Sequence, residues 1–338
     1  MQKTPFSIFK KLVTKAKTIS IVTHVNPDGD AMGSSLGLYH YLKGKGKNVK
    51  VIVPNAFPDF LAWMPASKQS MVFEKNEEAV KKQINKSELV FILDFNNYNR
   101  IDALGELIRN SASKKIVIDH HQKPDTVFDY YFHDEKASST CELIYDFVCG
   151  IDSKKVVDKK MATCLYTGIM TDTGSFRFSS TTQKTFQVAA SLIEAGAQNA
   201  TIYANVYDDY TQHRLKLLGY CLHEKLVFIP EYKAAYMALS EEELKKFGFK
   251  KGDTEGIVNY ALSVSGIELS AFFSEKEGAI RISFRSKNKF DVNKFARAHF
   301  NGGGHINAAG AKSDLSLKDT VNKFIELLPK HKTELFKR

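Results

Sequence analysis

The first half of the chain alternates short apolar runs with segments of helical spacing. The runs are rich in β-branched residues, which favours strands, and the segments between them place apolar residues three or four positions apart, which favours helices. The predicted strands are Thr18–His24, Asn48–Pro54, Glu88–Phe95 and Lys114–His121. The predicted helices between them are Ala31–Leu42, Glu77–Ile84 and Ile101–Arg109. This alternation predicts an α/β fold with a doubly wound parallel sheet in the N-terminal domain.

The pattern changes after about residue 138. Helical spacing over 138–170 is followed by a short extended piece at Ser175–Ser179, a helix at Gln183–Ala195 and a long polar helix at Asn199–Leu222. Such a polar helix is typical of a connector between domains. The later predicted elements are alternation over Lys225–Leu239, helices at Glu241–Phe247 and Glu255–Val264, and strands at Glu268–Ser274 and Ala279–Ser286. We therefore predict an N-terminal domain over 1–195, a helical connector over 196–224 and a smaller α+β C-terminal domain over 225–338.

Composition narrows the class of protein without naming its chemistry. The chain has 338 residues, of which 43% are hydrophobic, enough for two separate cores. The net charge of +10 favours anionic partners such as nucleotides. The four cysteines form no C-x-x-C pair, which indicates reduced core residues. Neither a signal peptide nor a long apolar run is visible, so we expect a cytoplasmic protein that does not bind membranes.

Acidic and imidazole side chains recur where the apolar strands end. Parallel sheets of this kind bind ligands at the carboxyl ends of their strands. A carboxylate that follows an apolar strand into the interior needs a partner or a metal. The candidates form four groups, of which the first three follow strands and the last ends a helical stretch: His24, Asp28 and Asp30; Asp94; Asp119, His120 and His121; and Asp172.

The combination of these residue types indicates metal-assisted hydrolysis. A phosphate ester needs a strong nucleophile and neutralisation of its charge, and two cations bridged by a carboxylate supply both. Carboxylate oxygens mixed with imidazole nitrogens suit Mn²⁺. A single Asp in a turn is usually only a turn former or a helix cap. Four groups in one domain favour a metal centre over that simpler interpretation.

These groups resemble the motifs of the DHH phosphoesterase superfamily. Its first motif, H-x-x-x-D-x-D, corresponds to His24, Asp28 and Asp30, its second to Asp94, its name-giving third to Asp119, His120 and His121, and its fourth to Asp172. GlyGlyGlyHis at Gly302, Gly303, Gly304 and His305 resembles the signature of the DHH-associated domain. The layout is most similar to the nano-RNase and pAp phosphatase subfamily, so the resemblance covers nearly the whole chain.

The resemblance implies a role for each matching residue. His24 and Asp28 would bind one divalent ion, Asp30, His120 and Asp172 would bind a second, and Asp94 would bridge the two. Asp119 would orient an imidazole, and His121 would face the scissile phosphate or the attacking water. A metal-bridging hydroxide would attack the phosphorus in line. Asn26 either contacts the substrate or the metal-bound water or simply forms the turn, and Arg177 either stabilises transition-state charge or pairs with a surface carboxylate.

The second domain carries a predicted phosphate clamp. Three glycines followed by a helix-like HisIleAsnAlaAlaGly segment would let backbone amides and a helix start approach an anion, with a side-chain contact from His305. Period-two alternation places Arg281, Ser283 and Arg285 on one face of a strand. Although such a row of Arg side chains can simply face solvent, beside the glycines it favours Arg285, with Ser283, as phosphate ligands.

We therefore expect a Mn²⁺-dependent hydrolase, either a monomer or a homodimer, acting on a short single-stranded oligonucleotide or a small nucleotide such as 3′-phosphoadenosine 5′-phosphate (pAp) or a linear or cyclic dinucleotide. The alternatives are a manganese-dependent pyrophosphatase, a RecJ-like exonuclease and a non-catalytic nucleotide sensor. The GlyGlyGlyHis signature argues against the first, the chain length against the second, and the complete set of metal ligands against the third. The order of preference among nucleotide substrates cannot be read from these residues.

Overall fold

A computed structural model describes residues 4–122, 124–250, 252–276 and 278–337. The chain divides into two compact units, one ending at Asp209 and the other beginning at Tyr210. This division lies within the range 196–224 predicted as a connector. In the part of the chain that is described, no helix is both long and apolar enough to cross a membrane.

The first unit is built on a six-stranded sheet in the order β3-β2-β1-β4-β5-β6, with every neighbouring pair parallel. Its strands are β1 Thr18–Val22, β2 Asn48–Val53, β3 Met71–Val72, β4 Leu89–Leu93, β5 Lys114–Asp119 and β6 Tyr130–His133. Its helices are α1 Phe6–Lys15, α2 Gly29–Gly44, α3 Glu77–Lys86, α4 Ala103–Asn110, α5 Thr140–Ile151, α6 Lys159–Asp172, α7 Gln183–Glu194 and α8 Asn199–Tyr207. The strand order reverses direction between β1 and β4, where such sheets open a crevice.

Alternate residues of the central strands enter two different cores, which confirms the doubly wound arrangement. Ile19 and Phe91 belong to a core shared with α1, α2, α5 and α6. Val22 and Val90 belong to a second core shared with α3 and α4. Both faces of the sheet are therefore covered, which explains why these strands read as nearly continuous apolar runs in the sequence.

The second unit is a mixed six-stranded sheet in the order β11-β12-β10-β9-β8-β7. Among the described residues of this sheet, β8 and β9 pair in parallel and the other neighbouring strands pair antiparallel. Its strands are β7 Val227–Ile229, β8 Ala234–Leu239, β9 Leu269–Lys276, β10 Ala279–Ser286, β11 Asn301–Gly304 and β12 Ala308–Ser313. Its helices are α9 Gln212–Tyr220, α10 Glu241–Lys246, α11 Ile257–Leu262, α12 Val292–His299 and α13 Leu317–Leu335. The predicted α+β character is confirmed.

Three local predictions were wrong. The single helix predicted at Asn199–Leu222 is two helices, because α8 ends at Tyr207 and Thr211 caps a new helix by accepting a hydrogen bond from the Arg214 amide at 3.1 Å. The segment Ser175–Ser179 is a series of turns, with left-handed φ values of 60° at Ser175 and 65° at Phe176.

The third error concerns the glycines. They form edge strand β11, and the residues after them turn into β12 instead of starting a helix. The hairpin is closed by the His305 amide, which donates to the Ala308 carbonyl at 2.7 Å. Strands β3 and β6 were not predicted at all.

Candidate metal centre

The candidate ligands meet at the carboxyl end of the parallel sheet. His24 follows β1, Asp94 follows β4, and Asp119 ends β5 with His120 and His121 after it. Asp28 and Asp30 lie at the start of α2, and Asp172 is the last residue of α6. The fold therefore brings together all of the predicted metal-ligating residues, although they are spread over nearly 150 positions of the sequence.

Side chains of this cluster form groups whose ligand atoms lie within 4.8 Å of one another, and one of these groups is Asp94, Asp119 and His121. Two others contain all of the predicted metal ligands. One consists of His24, Asp28 and Asp94, and the other of Asp30, His120 and Asp172. Asp94 also reaches the second group, since its Oδ1 lies 3.6 Å from Nε2 of His120. Its other oxygen, Oδ2, lies 3.3 Å from Nε2 of His24. One carboxylate thus faces both groups with different oxygens.

Local structure fixes how each carboxylate points. Asp28 caps α2, because its Oδ1 accepts from the Asp30 and Ala31 amides at 3.0 Å each. Asp30 is buried, and its two oxygens accept from the Thr140 amide at 2.7 Å and the Cys141 amide at 2.9 Å. Asp94 has a left-handed backbone with φ 64°, a conformation that non-glycine residues adopt rarely and often at functional sites.

The ring of His120 is oriented by a hydrogen bond on the side away from the clustered carboxylates. Nδ1 of His120 donates to the Ala137 carbonyl at 3.2 Å, so its Nε2 faces Asp30, Asp94 and Asp172 at 3.5–3.7 Å. This is the arrangement that a metal-binding histidine requires.

The third motif is held by a side chain that sequence reasoning had not selected. Nδ1 of His121 lies 2.8 Å from Oδ1 of Asp119, and Nδ2 of Asn96 donates to the other Asp119 oxygen at 2.8 Å. The same Asn96 amide also donates to the His121 carbonyl at 3.2 Å. Asp119 is fully buried and fixes both the backbone and the ring of His121.

Burial and crowding perturb the acid–base properties of these groups. Burial and the neighbouring carboxylates of Asp94 and Asp172 raise the pKa of Asp30 well above its usual value. Burial and Asp94 also raise the pKa of Asp172 to about 6, although His120 opposes this. Burial disfavours a charged His120, but Asp172, Asp30 and Asp94 outweigh it and raise its pKa to about 9.

Asp94 behaves in the opposite way. Burial opposes its charge, but the hydrogen bond with His24 and the nearby imidazole of His121 lower its pKa. The protein alone therefore balances its crowded carboxylates by holding protons on imidazoles and on neighbouring acids. Divalent cations fit this donor set of buried oxygens and imidazole nitrogens, because their positive charge would neutralise the carboxylates in place of those protons.

Two predicted residues lie outside this cluster. Arg177 is exposed, and its guanidinium lies over the Phe178 ring, 5.5 Å from the centroid. Asn26 has φ 55° and forms two hydrogen bonds with Asn55. The backbone amide of Asn26 donates to Asn55 Oδ1 at 2.7 Å, and Asn55 Nδ2 donates to Asn26 Oδ1 at 2.8 Å. Asn55 was missed, although it follows β2 at the same edge of the sheet.

In the second unit, the predicted clamp residues lie on β10 and at β11, and β12 lies between these two strands. Arg281, Ser283 and Arg285 alternate with the buried Ile280, Ile282 and Phe284 along β10, as predicted. Ser283 is opposite Gly310 on β12, which is opposite Gly303 on β11. Arg297 beside these glycines was not predicted. Its guanidinium lies next to Gly303, 3.4 Å from the position that a Cβ there would take. Its Nε donates to Asn293 Oδ1 at 3.0 Å. Asn293 Oδ1 also accepts from the Gly304 amide at 3.0 Å.

Comparison with known proteins identifies this arrangement. Residues 18–169 match the DHH family N-terminal domain, and residues 231–330 match the DHHA1 domain. The bifunctional oligoribonuclease and PAP phosphatase NrnA of Bacillus subtilis is 32% identical over 298 residues, which cover 87% of this chain and 88% of that protein. The chain belongs to the DHH family. The resemblance seen in its motifs is thereby confirmed, and the chain is a DHH-family phosphoesterase.

Two further relatives of this DHH-family chain match over nearly their whole length. A probable bifunctional oligoribonuclease and PAP phosphatase NrnA of Streptococcus mutans is 32% identical over 94% of this chain and 97% of that protein. The crystal structure of an exopolyphosphatase-related protein from Bacteroides fragilis is 40% identical, with a TM-score of 0.94 over 98% of this chain and 97% of that one. The match therefore extends over both the DHH and the DHHA1 regions.

Proposed function

We propose that this DHH-family chain uses two divalent cations, Mn²⁺ in particular, to hydrolyse phosphate esters of short nucleotides. The substrates we propose are short oligonucleotides, pAp and linear or cyclic dinucleotides. The observation that carries the proposal is the position of Asp94, whose two oxygens face two separate groups of potential ligands. A carboxylate shared in this way is what a two-cation centre for phosphoryl chemistry requires.

The names of the relatives support the choice of substrate. NrnA of Bacillus subtilis is described as both an oligoribonuclease and a PAP phosphatase. Both activities hydrolyse a phosphate ester bond of a short nucleotide, so one centre with a tolerant binding surface can catalyse both. The Bacteroides fragilis protein is described as exopolyphosphatase-related, so polyphosphate must be tested as an alternative substrate.

The residues divide the work as follows. His24 and Asp28 would hold one cation, Asp30, His120 and Asp172 would hold the other, and Asp94 would contact both. When bound, such cations neutralise phosphoryl oxygens and lower the pKa of bound water. His121, which is held by Asp119, would face the scissile phosphate or the attacking water. Because Asn96 and Asp119 fix its ring before substrate arrives, little reorganisation is needed at the moment of reaction.

The second unit would bind phosphate groups of the substrate. Arg285 provides a guanidinium for charge-assisted hydrogen bonds, with Ser283 on the same face of β10. The Gly302, Gly303 and Gly304 segment supplies an edge strand without side chains, next to His305. A Cβ at Gly302 would lie 2.4 Å from the Gly310 carbonyl oxygen, so this position has no room for another residue type.

A substrate panel tests the proposal. The purified chain would be incubated with Mn²⁺ and an oligoribonucleotide series from dimer to decamer, together with pAp, a cyclic dinucleotide, pyrophosphate and polyphosphate. We expect turnover of dimers, trimers and pAp that falls with oligonucleotide length and stops when the metal is chelated. Faster turnover of pyrophosphate or polyphosphate than of every nucleotide would contradict the proposed substrate class. Hydrolysis that survives chelation would contradict the metal centre.

A further inference from the structure

Thr140, the first residue of α5, contacts one carboxylate from each of the two ligand groups. Its hydroxyl donates to Oδ1 of Asp94 at 2.9 Å, and its backbone amide donates to Oδ2 of Asp30 at 2.7 Å. The residue has no solvent-exposed surface. A buried hydroxyl with this geometry makes a charge-assisted hydrogen bond, which is stronger than one between neutral groups.

This contact separates the two oxygens of Asp94. Oδ1 receives the Thr140 hydroxyl and lies near His120, while Oδ2 lies near His24. A carboxylate rotates readily about its last bond, so the terminal torsion of an Asp is not fixed by its backbone. The hydroxyl therefore helps to fix this torsion, so that one oxygen faces the group formed by Asp30, His120 and Asp172 while the other faces His24.

The position of Thr140 is also held by hydrogen bonds outside the metal-ligand groups. The Ser139 hydroxyl caps α5 by accepting from the Glu142 amide at 3.1 Å. The buried carboxylate of Glu142 accepts from the Ser138 hydroxyl at 2.6 Å and the Thr185 hydroxyl at 2.8 Å. These bonds tie the first turn of α5 to α7, so the Thr140 donors are in place before any cation binds.

We propose that Thr140 is a positioning residue that sets the orientation of Asp94 and Asp30 for cation binding. This inference rests on the two-cation function proposed above. It predicts that removal of the hydroxyl weakens cation binding in the absence of any substrate. The size of the effect should resemble that of other residues that orient metal ligands, about 10- to 100-fold in affinity.

The test compares three variants by calorimetric titration of the metal-free protein with Mn²⁺. Thr140→Val keeps the shape of the side chain and removes the donor, and we expect its Mn²⁺ affinity to fall by about 10- to 100-fold. Thr140→Ser restores the hydroxyl and should recover most of that loss. Thr167→Val is the matched control, because Thr167 is also fully buried but its hydroxyl donates to the Thr163 carbonyl at 2.8 Å within α6. Its affinity should equal that of the wild type.

Two results would overturn the inference: a Thr140→Val affinity equal to that of the wild type, or a Thr140→Ser loss as large as that of the valine variant. If circular dichroism shows that Thr140→Val does not fold, Thr140→Ala removes the same hydroxyl without adding volume and replaces it in the comparison. Failure of the proposed function is distinguishable, because the wild type itself would then bind no Mn²⁺. A wild type that binds two ions beside an unaffected valine variant refutes only the role of Thr140.

Discussion

Asp94→Asn is the substitution that separates the metal role of this residue from its structural role. Asparagine has the same shape, and it tolerates the left-handed backbone at this position, where φ is 64°. The change removes the charge that faces His24 and His120 but leaves an oxygen able to accept from Thr140. The variant should therefore fold, whereas alanine at a left-handed position would add backbone strain.

The expected loss of Mn²⁺ stabilisation in Asp94→Asn follows from the linkage of ligand binding to the free energy of unfolding. Mn²⁺ at about 100 times its dissociation constant stabilises the native state by about 2.7 kcal/mol. For a unit of roughly 200 residues this raises the Tm by about 5–11 °C. If the affinity falls about 100-fold, the stabilisation falls to about 0.4 kcal/mol and the shift to about 1–2 °C. Loss of several kcal/mol of transition-state stabilisation would lower kcat by at least about 10³-fold.

The metal-free variant should also be somewhat less stable at neutral pH. The pKa of Asp94 is lowered in the folded state, so its charged form contributes stability above the unfolded pKa that is lost as the pH falls. Differential scanning fluorimetry with and without Mn²⁺, and dinucleotide turnover on the same samples, measure both effects. Near-wild-type turnover together with an unchanged Mn²⁺ shift would refute the assignment of Asp94 to both groups.

Three further predictions concern protons, substrate and packing. Neighbouring carboxylates raise the pKa of His120 to about 9 without metal, so its imidazolium must lose a proton to bind a cation, and Mn²⁺ affinity should rise between about pH 6 and pH 8. Calorimetry in buffers of different ionisation enthalpy should detect the released proton. Binding heats that do not depend on the buffer would contradict this prediction. Arg285→Ala should raise KM by about 10- to 150-fold, because it removes a charge-assisted hydrogen bond of about 1.5–3 kcal/mol. The change in kcat should be smaller, and the rise in Tm caused by Mn²⁺ should be unchanged. An unaltered KM would remove Arg285 from the clamp. Gly33→Ala should cost about 1–3 kcal/mol, because its Cβ would lie 2.6 Å from the Cys164 carbonyl oxygen, while Gly44→Ala, with open space around it, is the control in urea unfolding.

The sheet of the first unit could be predicted because its strands are buried on both faces. Such strands read as apolar runs, and all four predicted ones are present within a few residues of their expected ends. The metal ligands were predictable for a related reason. A carboxylate such as Asp94, directly after a buried strand, has no favourable place in a core, so its presence indicates a ligand or partner.

The missed elements lack such signals. Strand β3 has two residues, which is too short for any periodicity. Strand β11 contains three glycines, and without side chains no alternation marks it as extended. The positive φ at Ser175 and Phe176 is imposed by the turn that follows α6, and neither residue type announces it.

The residues that support the site were hidden for another reason. Thr140 lies 46 positions from Asp94 in sequence, and Asn96 lies 23 positions from Asp119. Hydroxyl and amide residues are common at helix starts and in loops, where they usually cap or turn the chain. Helical spacing from about residue 138 predicted a helix here, but only the fold shows which carboxylates the donors at the start of α5 reach.

Anomalous diffraction at the manganese edge, from crystals grown with saturating Mn²⁺, would locate the bound cations. We predict two manganese peaks in the first unit, one bounded by His24, Asp28 and Asp94 and the other by Asp30, His120, Asp172 and the same Asp94. A single peak, or peaks that do not share Asp94, would contradict it.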